Sequence, residues 1–136
     1  MEIQLAVLAD SANVAAGHKL NILGIFDTVQ AHGFPMAHPF MVLALRLRIE
    51  FDDGGKTHQL VISLRDPDMK EYARATAEMK VPGLPAGKFQ TINQILNFAG
   101  VTFVRPAEFA FHVSWNGQEK AQVPLNVIQV IGPPRA

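Results

Sequence analysis

The sequence predicts an all-β protein, an antiparallel sandwich of two sheets forming a single domain over residues 1–136. Three observations lead to this fold class. Apolar and polar residues alternate with a period of two along much of the chain, and turn signals containing glycine or proline recur at short intervals. In addition, 49% of the residues are hydrophobic, which is enough for one buried core.

The clearest alternation runs through residues 41–51, where every odd-numbered residue is apolar. This pattern is typical of a strand with one face in the core. The sequence Asp-Asp-Gly-Gly-Lys follows and predicts a two-residue turn at Gly54 and Gly55. The resulting hairpin pairs Leu47 with Ile62, and its other inward pairs are also apolar on apolar.

A second hairpin is expected where Asn116 precedes Gly117. A two-residue turn at this point would place core residues opposite solvent-facing residues, as any slip of one residue does. A three-residue loop that begins at Trp115 and contains a bulged glycine instead pairs Phe111 with Ala121. The sequence therefore predicts the bulged loop.

The remaining elements follow from similar patterns and bring the sandwich to seven or eight strands of immunoglobulin-like architecture. Residues 67–80 allow two interpretations. Helix propensity and an Asp-Pro start favour a helix, whereas alternation and continuation of the meander favour a strand, which we predict. A short helical turn is predicted near residues 11–16, with Asp10 as a capping residue. The other predicted strands cover residues 2–9, 19–30, 88–98 and 119–131.

Composition and charge narrow the classes of function. Twelve basic and twelve acidic residues cancel, which argues against nucleic-acid binding. The chain has no cysteine, its start does not resemble a signal peptide, and no apolar run approaches the roughly 20 residues of a membrane helix. We therefore expect a cytoplasmic protein without membrane contact. Only 18% of the residues are charged, which favours a partner, such as a second copy in a homo-oligomer, covering apolar surface.

The N-terminal stretch AVLADSANVAAGHKLNILGIFD resembles the start of a family of small bacterial proteins of unknown function. The matching residues are Ala9, Asp10, Ala12, Asn13 and residues 19–27. The later stretch GVTFVRPAEFAFHVSWNGQEKAQVPLNV resembles the end of that family, although Ala107 and Phe109 stand where glycine and tyrosine are more usual. The resemblance covers most of the chain, supports the fold and implies no catalytic residues.

The stretch QAHGFPMAHP at residues 30–39 is the first candidate site. It brings His32, Phe34 and His38 into one connection shaped by Pro35 and Pro39. A zinc site needs three or four converging ligands, and no cysteine is present to contribute one. We expect a corner between strands, and we predict no metal, no cofactor and no catalytic group, although function in sandwiches often resides in such loops.

The second candidate is a group of arginines. In the register of the first predicted hairpin, Arg46, Arg48 and Arg65 share the outward face. The simplest interpretation is a ladder of cross-strand ion pairs, each of which contributes little to stability. The alternative is a surface that binds an anion or an acidic partner, because guanidinium groups suit carboxylates and phosphates.

The sequence favours a non-enzymatic binding or structural module that acts through protein–protein contact and forms a homo-oligomer. The alternative is a small-ligand-binding protein or an enzyme that uses the 31–39 loop with His32 and His38. Fold alone does not decide between these classes, because sandwiches carry many functions.

Overall fold

A computed structural model describes residues 1–132 as nine strands in two sheets. The four-stranded sheet has the order β2-β1-β4-β7, and the five-stranded sheet has the order β3-β9-β8-β5-β6. The strands are β1 (Glu2–Ala15), β2 (Lys19–Ile25), β3 (Thr28–Ala31), β4 (Met36–Ile49), β5 (Thr57–Arg65), β6 (Glu71–Lys80), β7 (Gln90–Phe103), β8 (Ala107–Trp115) and β9 (Gln118–Gln129). The all-β, two-sheet prediction is confirmed, with nine strands rather than seven or eight.

The core lies between the two sheets and follows the alternation in the sequence. Leu45 and Leu47 of β4, Ile62 of β5 and Phe111 of β8 are each 0% exposed. They belong to one continuous hydrophobic cluster that draws side chains from both sheets. Burying each such side chain stabilises the fold by roughly 1.5–3 kcal/mol, so the period-two pattern is the main determinant of the sandwich.

The predicted hairpin between β4 and β5 is wrong. β4 pairs with β1 and β7, whereas β5 pairs with β6 and β8. A short 3-10 helix, Phe51–Asp53, together with Gly54 and Gly55, takes the chain from one sheet to the other. Both sheets have an apolar inward face. An apolar residue at position 47 and another at position 62 are therefore expected whether the two strands pair within one sheet or lie in opposite sheets.

The ambiguous segment at 67–80 contains strand β6, Glu71–Lys80, as predicted. The helical turn predicted near residues 11–16 is wrong, because β1 continues as a strand to Ala15 and pairs with β2. Ala12 lies opposite Ile22 in that ladder, and the chain reverses at Gly17 and His18, both with positive φ. Pairing with β2 provides hydrogen-bond partners for the backbone N–H and C=O groups all along residues 11–15, whereas a capping side chain would provide a partner for only one or two of them.

The second hairpin contains both a two-residue turn and a bulge, which the sequence suggests as alternatives. Asn116 and Gly117 form a two-residue turn with φ values of 51° and 81°, so the predicted three-residue loop is wrong. A register shift between Val113 and Ser114 then restores the pairing of like faces, and Phe111 lies opposite Val123 rather than Ala121. The bulge is therefore in the strands and not in the turn.

One strand pair departs from the predicted antiparallel arrangement. β3 runs parallel to the last part of β9, with Val29 opposite Val127. The chain leaves the four-stranded sheet after β2 and joins the edge of the five-stranded sheet as β3. The first three strands thus connect the two layers at one side of the sandwich.

The alternation of inward and outward side chains reverses once along β4 and β7. Pro39 and Phe40 are both exposed, and so are Ala99 and Gly100, which face them in the β4–β7 ladder. Gly100 has a φ of 65°, a conformation that favours glycine. On the N-terminal side of this break, the even-numbered side chains of β4 point inward. His38 therefore lies beside the interior and not on the outer face.

Candidate functional site

The six residues predicted as a binding surface do not lie together. Arg46 and Arg48 are on β4, whereas Arg65 is on β5 in the other sheet, so the three arginines do not share a face. The loop residues also separate, as follows. His32 is exposed beyond the end of β3, Phe34 packs against the core, and His38 lines a cleft between the sheets.

The arginines are occupied by neighbouring groups of the same chain. Arg46 donates a hydrogen bond of 3.2 Å to Asn93, and Arg48 donates one of 2.8 Å to Glu50 while its guanidinium lies 3.9 Å from the centre of the Phe89 ring. Such half-exposed pairs add little stability. Arg46 pairs with an amide and Arg48 with a carboxylate two residues along the chain, so these contacts differ from the simple interpretation of a ladder of cross-strand ion pairs.

The outer face of the five-stranded sheet is polar. Arg74 of β6 forms an ion pair of 3.0 Å with Glu71, and His112 of β8 contacts Glu119 of β9. Hydrogen bonds from Arg74 and Ser63 lower the pKa of Glu71 below its ordinary value. This face therefore carries a network of charged and polar groups suited to contact with water.

The outer face of the four-stranded sheet is apolar at its centre. On this face Val42 lies between Ala9 and Asn97, and Ala44 lies between Val7 and Ile95. We call this surface the apolar strip and define it by Leu5, Val7, Ala9, Leu23, Ile25, Phe40, Val42, Ala44 and Ile95. None of these side chains is part of the core cluster, although Val42 is only 1% exposed.

The apolar strip has a raised edge and a flat centre. Leu23 and Ile25 of the edge strand β2 are 71% and 64% exposed, and Phe40 is 43% exposed. Ala9 and Ala44, between them, are small and covered by their neighbours. The strip therefore presents large side chains beside a shallow surface. In addition, β2 is an edge strand in the sheets formed by residues 1–132, so one side of its backbone has no neighbouring strand there.

A cleft opens where β1 leaves β4. The last pair between these strands is Ala9 with Val42, after which β1 continues with β2, and Pro39 of β4 has no N–H to donate. The cleft has a volume of about 410 Å³ and is open to solvent. Its lining comes from both sheets and consists of Asp10, Phe26, Thr28, Val29, Gln30, Met36, His38 and Pro39.

His38 is the most unusual polar group in the cleft. Its Nε2 atom is buried and has no hydrogen-bond partner among residues 1–132, and its ring centre lies 5.9 Å from that of Phe26. Burial lowers the pKa of His38, while the charge of Asp10 and the carbonyl of Phe40 act in the opposite direction. Because the imidazole lines the cleft, it is a candidate for contact with a ligand, although its Nε2 atom itself has almost no exposed surface.

Asp10 reaches the cleft because residue 24 is glycine. A Cβ atom on Gly24 would come within 2.9 Å of the Asp10 Cγ atom and overlap the carboxylate, and Gly24 also has a φ of 73°. Glycine is thus required for both space and backbone conformation. The local sequence predicts a capping role for Asp10, and only the long-range approach of β2 and β4 places it in the cleft.

The other buried histidine has structural contacts. His58 stacks on Trp115 with ring centres 4.6 Å apart, its Nε2 lies 2.8 Å from the carbonyl oxygen of Asp53, and Nδ1 lies 2.9 Å from the Asn116 amide. These contacts tie the turn of the second hairpin to β5. Over the part of the chain that the structure describes, no three histidine or acidic residues are close enough to hold a metal ion.

Together these features define a β-sandwich with one polar and one apolar outer face and an open cleft between its sheets. The family of unknown function DUF6941 matches residues 4–128, and the chain belongs to that family. The expectation of an uncharacterised family is confirmed. No curated protein matches the chain. Among residues 1–132, no helix is long and apolar enough to span a membrane.

Proposed function

We propose that this protein is a cytoplasmic, non-enzymatic binding module that acts through protein–protein contact, and that its partner is a second copy of the same chain. The observation that carries this proposal is the contrast between the two outer faces. One face carries mainly charged and polar side chains, and the other has the apolar strip at its centre.

The exposure of the large side chains at the edge of the strip supports a contact surface. Soluble monomers rarely expose a large continuous apolar patch, and such patches commonly mark interfaces. Leu23 and Ile25 project from an edge strand with more than half of each side chain exposed. An exposed apolar edge strand is also prone to pair with another chain unless it is covered. A partner that covers β2 would remove both the exposed apolar surface and the unpaired strand edge.

The shape of the strip supports a second copy as the partner. In a two-fold symmetric contact the same patch meets itself, so a raised part must fit a low part of the other copy. Leu23 and Ile25 of one copy can lie over Val7 and Ile95 of the second copy, which are partly exposed. The equal numbers of basic and acidic residues give the chain no net charge, so two copies do not repel each other.

We also propose that the sandwich is immunoglobulin-like. The order β1-β4-β7 in one sheet and β9-β8-β5-β6 in the other supports this. Immunoglobulin sheets place strands A, B and E together and strands G, F and C together. In this interpretation β2 is an addition next to strand A, and it carries the most exposed part of the apolar strip.

Sedimentation velocity over a range of protein concentrations tests the proposed contact. We expect the wild-type chain to form a dimer at roughly 100 µM, where a contact of about −5.5 kcal/mol is half-populated. Ile25→Lys and Leu23→Lys place a charge in the contact and should leave a monomer. The matched control is Thr76→Lys, an exposed position on the outer face of the other sheet, which should sediment like the wild type.

Two outcomes would overturn the proposal. One is a wild-type chain that remains monomeric across the whole concentration range. The other is a dimer that Thr76→Lys weakens as much as Ile25→Lys does, since this would place the contact elsewhere. Circular dichroism of each variant confirms that a loss of the dimer does not come from a loss of the fold.

A further inference from the structure

The cleft between the sheets is separate from the proposed contact surface. Asp10 and Gly24 lie on the inner side of the β1–β2 ladder, whereas the apolar strip lies on its outer side. The cleft volume of about 410 Å³ falls within the range of small-molecule sites, about 300–1,000 Å³. A ligand in the cleft and a partner on the strip can therefore be tested independently.

The charge in the cleft has one sign. The residues that line the cleft include one acidic residue, Asp10, and no lysine or arginine. Over residues 1–132 the Asp10 carboxylate forms no ion pair. Gly24 leaves room for this carboxylate at the cleft wall, so its position is set by the backbone of β2. A cationic group is the natural partner for it.

The remaining walls are mostly apolar. Phe26 and Met36 pack against the core and face the cleft, and Val29 and Pro39 complete the wall around them. The Phe26 ring also offers a face on which a cation can lie. Ligand sites commonly combine such apolar walls with a few polar groups that fix orientation.

His38 is a second polar side chain in the lining of the cleft. Its buried Nε2 has no partner in the part of the chain described. The imidazole lines the same cleft as Asp10, and Thr28 and Gln30 stand with it in the lining. A ligand with N–H donors would find one carboxylate and several neutral polar groups around it.

From these features we infer that the cleft lined by Asp10, Phe26 and His38 binds a small organic cation, an ammonium group carried on an apolar or aromatic body. The ammonium group lies at Asp10, and the apolar body packs against Phe26 and Met36. His38 takes part as a neutral polar group beside the bound ligand.

Phenylethylammonium is the probe for this inference, and the NMR signals of the His38 ring are the readout. The probe should shift these signals in a saturable manner, while those of His18 and His112, outside the cleft, stay unchanged. Phenylethanol and phenylpropionate, which have a similar aromatic body with no charge or a negative charge, should bind more weakly by about tenfold or more. This comparison needs no variant.

Asp10→Asn tests the role of the carboxylate with almost no change in shape. It should weaken binding of phenylethylammonium by about tenfold or more. The matched control is Asp52→Asn, because Asp52 is exposed, lies in the 3-10 helix past the opposite end of β4 and does not line the cleft. This control should bind within about twofold of the wild type, as expected for a distant surface change.

The inference is overturned if phenylethylammonium causes no saturable shift of the His38 signals. It is also overturned if the neutral or anionic analogue binds as well as the cation, or if Asp10→Asn binds like the wild type. None of these results depends on dimer formation, so the cleft and the proposed contact surface succeed or fail separately.

Discussion

At the scale of single residues, Asp10 and Gly24 show how one glycine positions a polar group. The two residues meet across the β1–β2 ladder, and any side chain at position 24 would occupy the place of the Asp10 carboxylate. Both residues fall within the N-terminal stretch that resembles the family pattern. Their pairing gives that stretch a physical role, since it sets one wall of the cleft.

We expect Gly24→Ala to destabilise the protein. The left-handed conformation alone costs a non-glycine residue about 1–2 kcal/mol, and displacement of Asp10 adds to this. Urea denaturation measures the change in the free energy of unfolding. In an Asp10→Ala background most of the steric part should disappear, because only the contact of 3.2 Å with the Cβ atom at position 10 remains, and the backbone part should persist.

Gly33→Ala is the control for this prediction. A Cβ atom at Gly33 would meet no heavy atom within 4 Å, and its φ is not in the left-handed region. Its free energy of unfolding should stay within about 0.5 kcal/mol of the wild type. Equal effects of the two substitutions would contradict the role given to Gly24.

His38 should make stability depend on pH in a defined window. Burial lowers the pKa of His38 in the folded state below its unfolded value of about 6.5, so the unfolded state binds more protons. The free energy of unfolding therefore falls as the pH drops from about 7 through this unfolded value. Glu71 acts in a more acidic window, because Arg74 lowers its pKa below the ordinary value for a carboxyl group.

His38→Gln should remove the loss of stability between about pH 7 and pH 5. Urea denaturation at several pH values measures this, and His32→Gln, at an exposed position, should keep the wild-type profile. If His38→Gln and the wild type lose stability in parallel over this window, His38 is not held neutral by its surroundings.

At the scale of elements, the second hairpin is fixed by contacts beyond its own turn. Asn116 has a φ of 51°, its Oδ1 accepts a hydrogen bond of 2.9 Å from the Gln59 N–H, and its amide contacts His58. The turn residue thus ties β8 and β9 to β5. This explains a two-residue turn at a position where the register then has to shift within the strands.

Asn116→Ala should destabilise the protein by about 1–3 kcal/mol, because the buried His58 ring and the Gln59 N–H each lose a hydrogen bond and alanine tolerates the left-handed region poorly. Thermal unfolding followed by circular dichroism measures the loss. Gln118→Ala, an exposed position in the same hairpin, is the control and should change little. A similar loss in both variants would mean that the contacts of Asn116 contribute nothing specific.

Strands could be predicted from the sequence, and their partners could not. Alternation locates β4, β5, β6 and β8, because one face of each strand must be apolar. Pairing depends on which apolar strands meet, and Leu47 pairs with Ile92 whereas Ile62 pairs with Val113, each within its own sheet. A glycine-rich connection has the same sequence pattern whether it forms a hairpin within one sheet or takes the chain from one sheet to the other. The sequence does not record this difference locally.

The candidate site was predictable only in part. His38 was singled out by its place between two prolines, and the structure puts it in the cleft. Asp10 and Phe26 join it through contacts that span the first four strands, so no local pattern links them. The apolar strip left one signal in the sequence, because β1 has apolar residues on both faces: Leu5 and Val7 point outward, and Ala6 and Leu8 point to the core.

At the scale of the whole molecule, the two sheets differ in what they offer to the surroundings. Both bury an apolar inner face, but only the four-stranded sheet also has an apolar outer face at its centre. Burial of apolar surface is favourable at about 25 cal/mol per Å², so this face gains from a partner. The low share of charged residues, 18%, reflects that second apolar surface.

The most direct test of the contact through this face is an isotope-filtered NOE experiment on a mixture of ¹³C-labelled and unlabelled chains. It reports only contacts between different copies. The account predicts intermolecular signals for the methyl groups of Val7, Ile25 and Val42 on the apolar strip. Signals that come instead from Val61 or Ile128 of the other sheet, or no intermolecular signals at all, would contradict it.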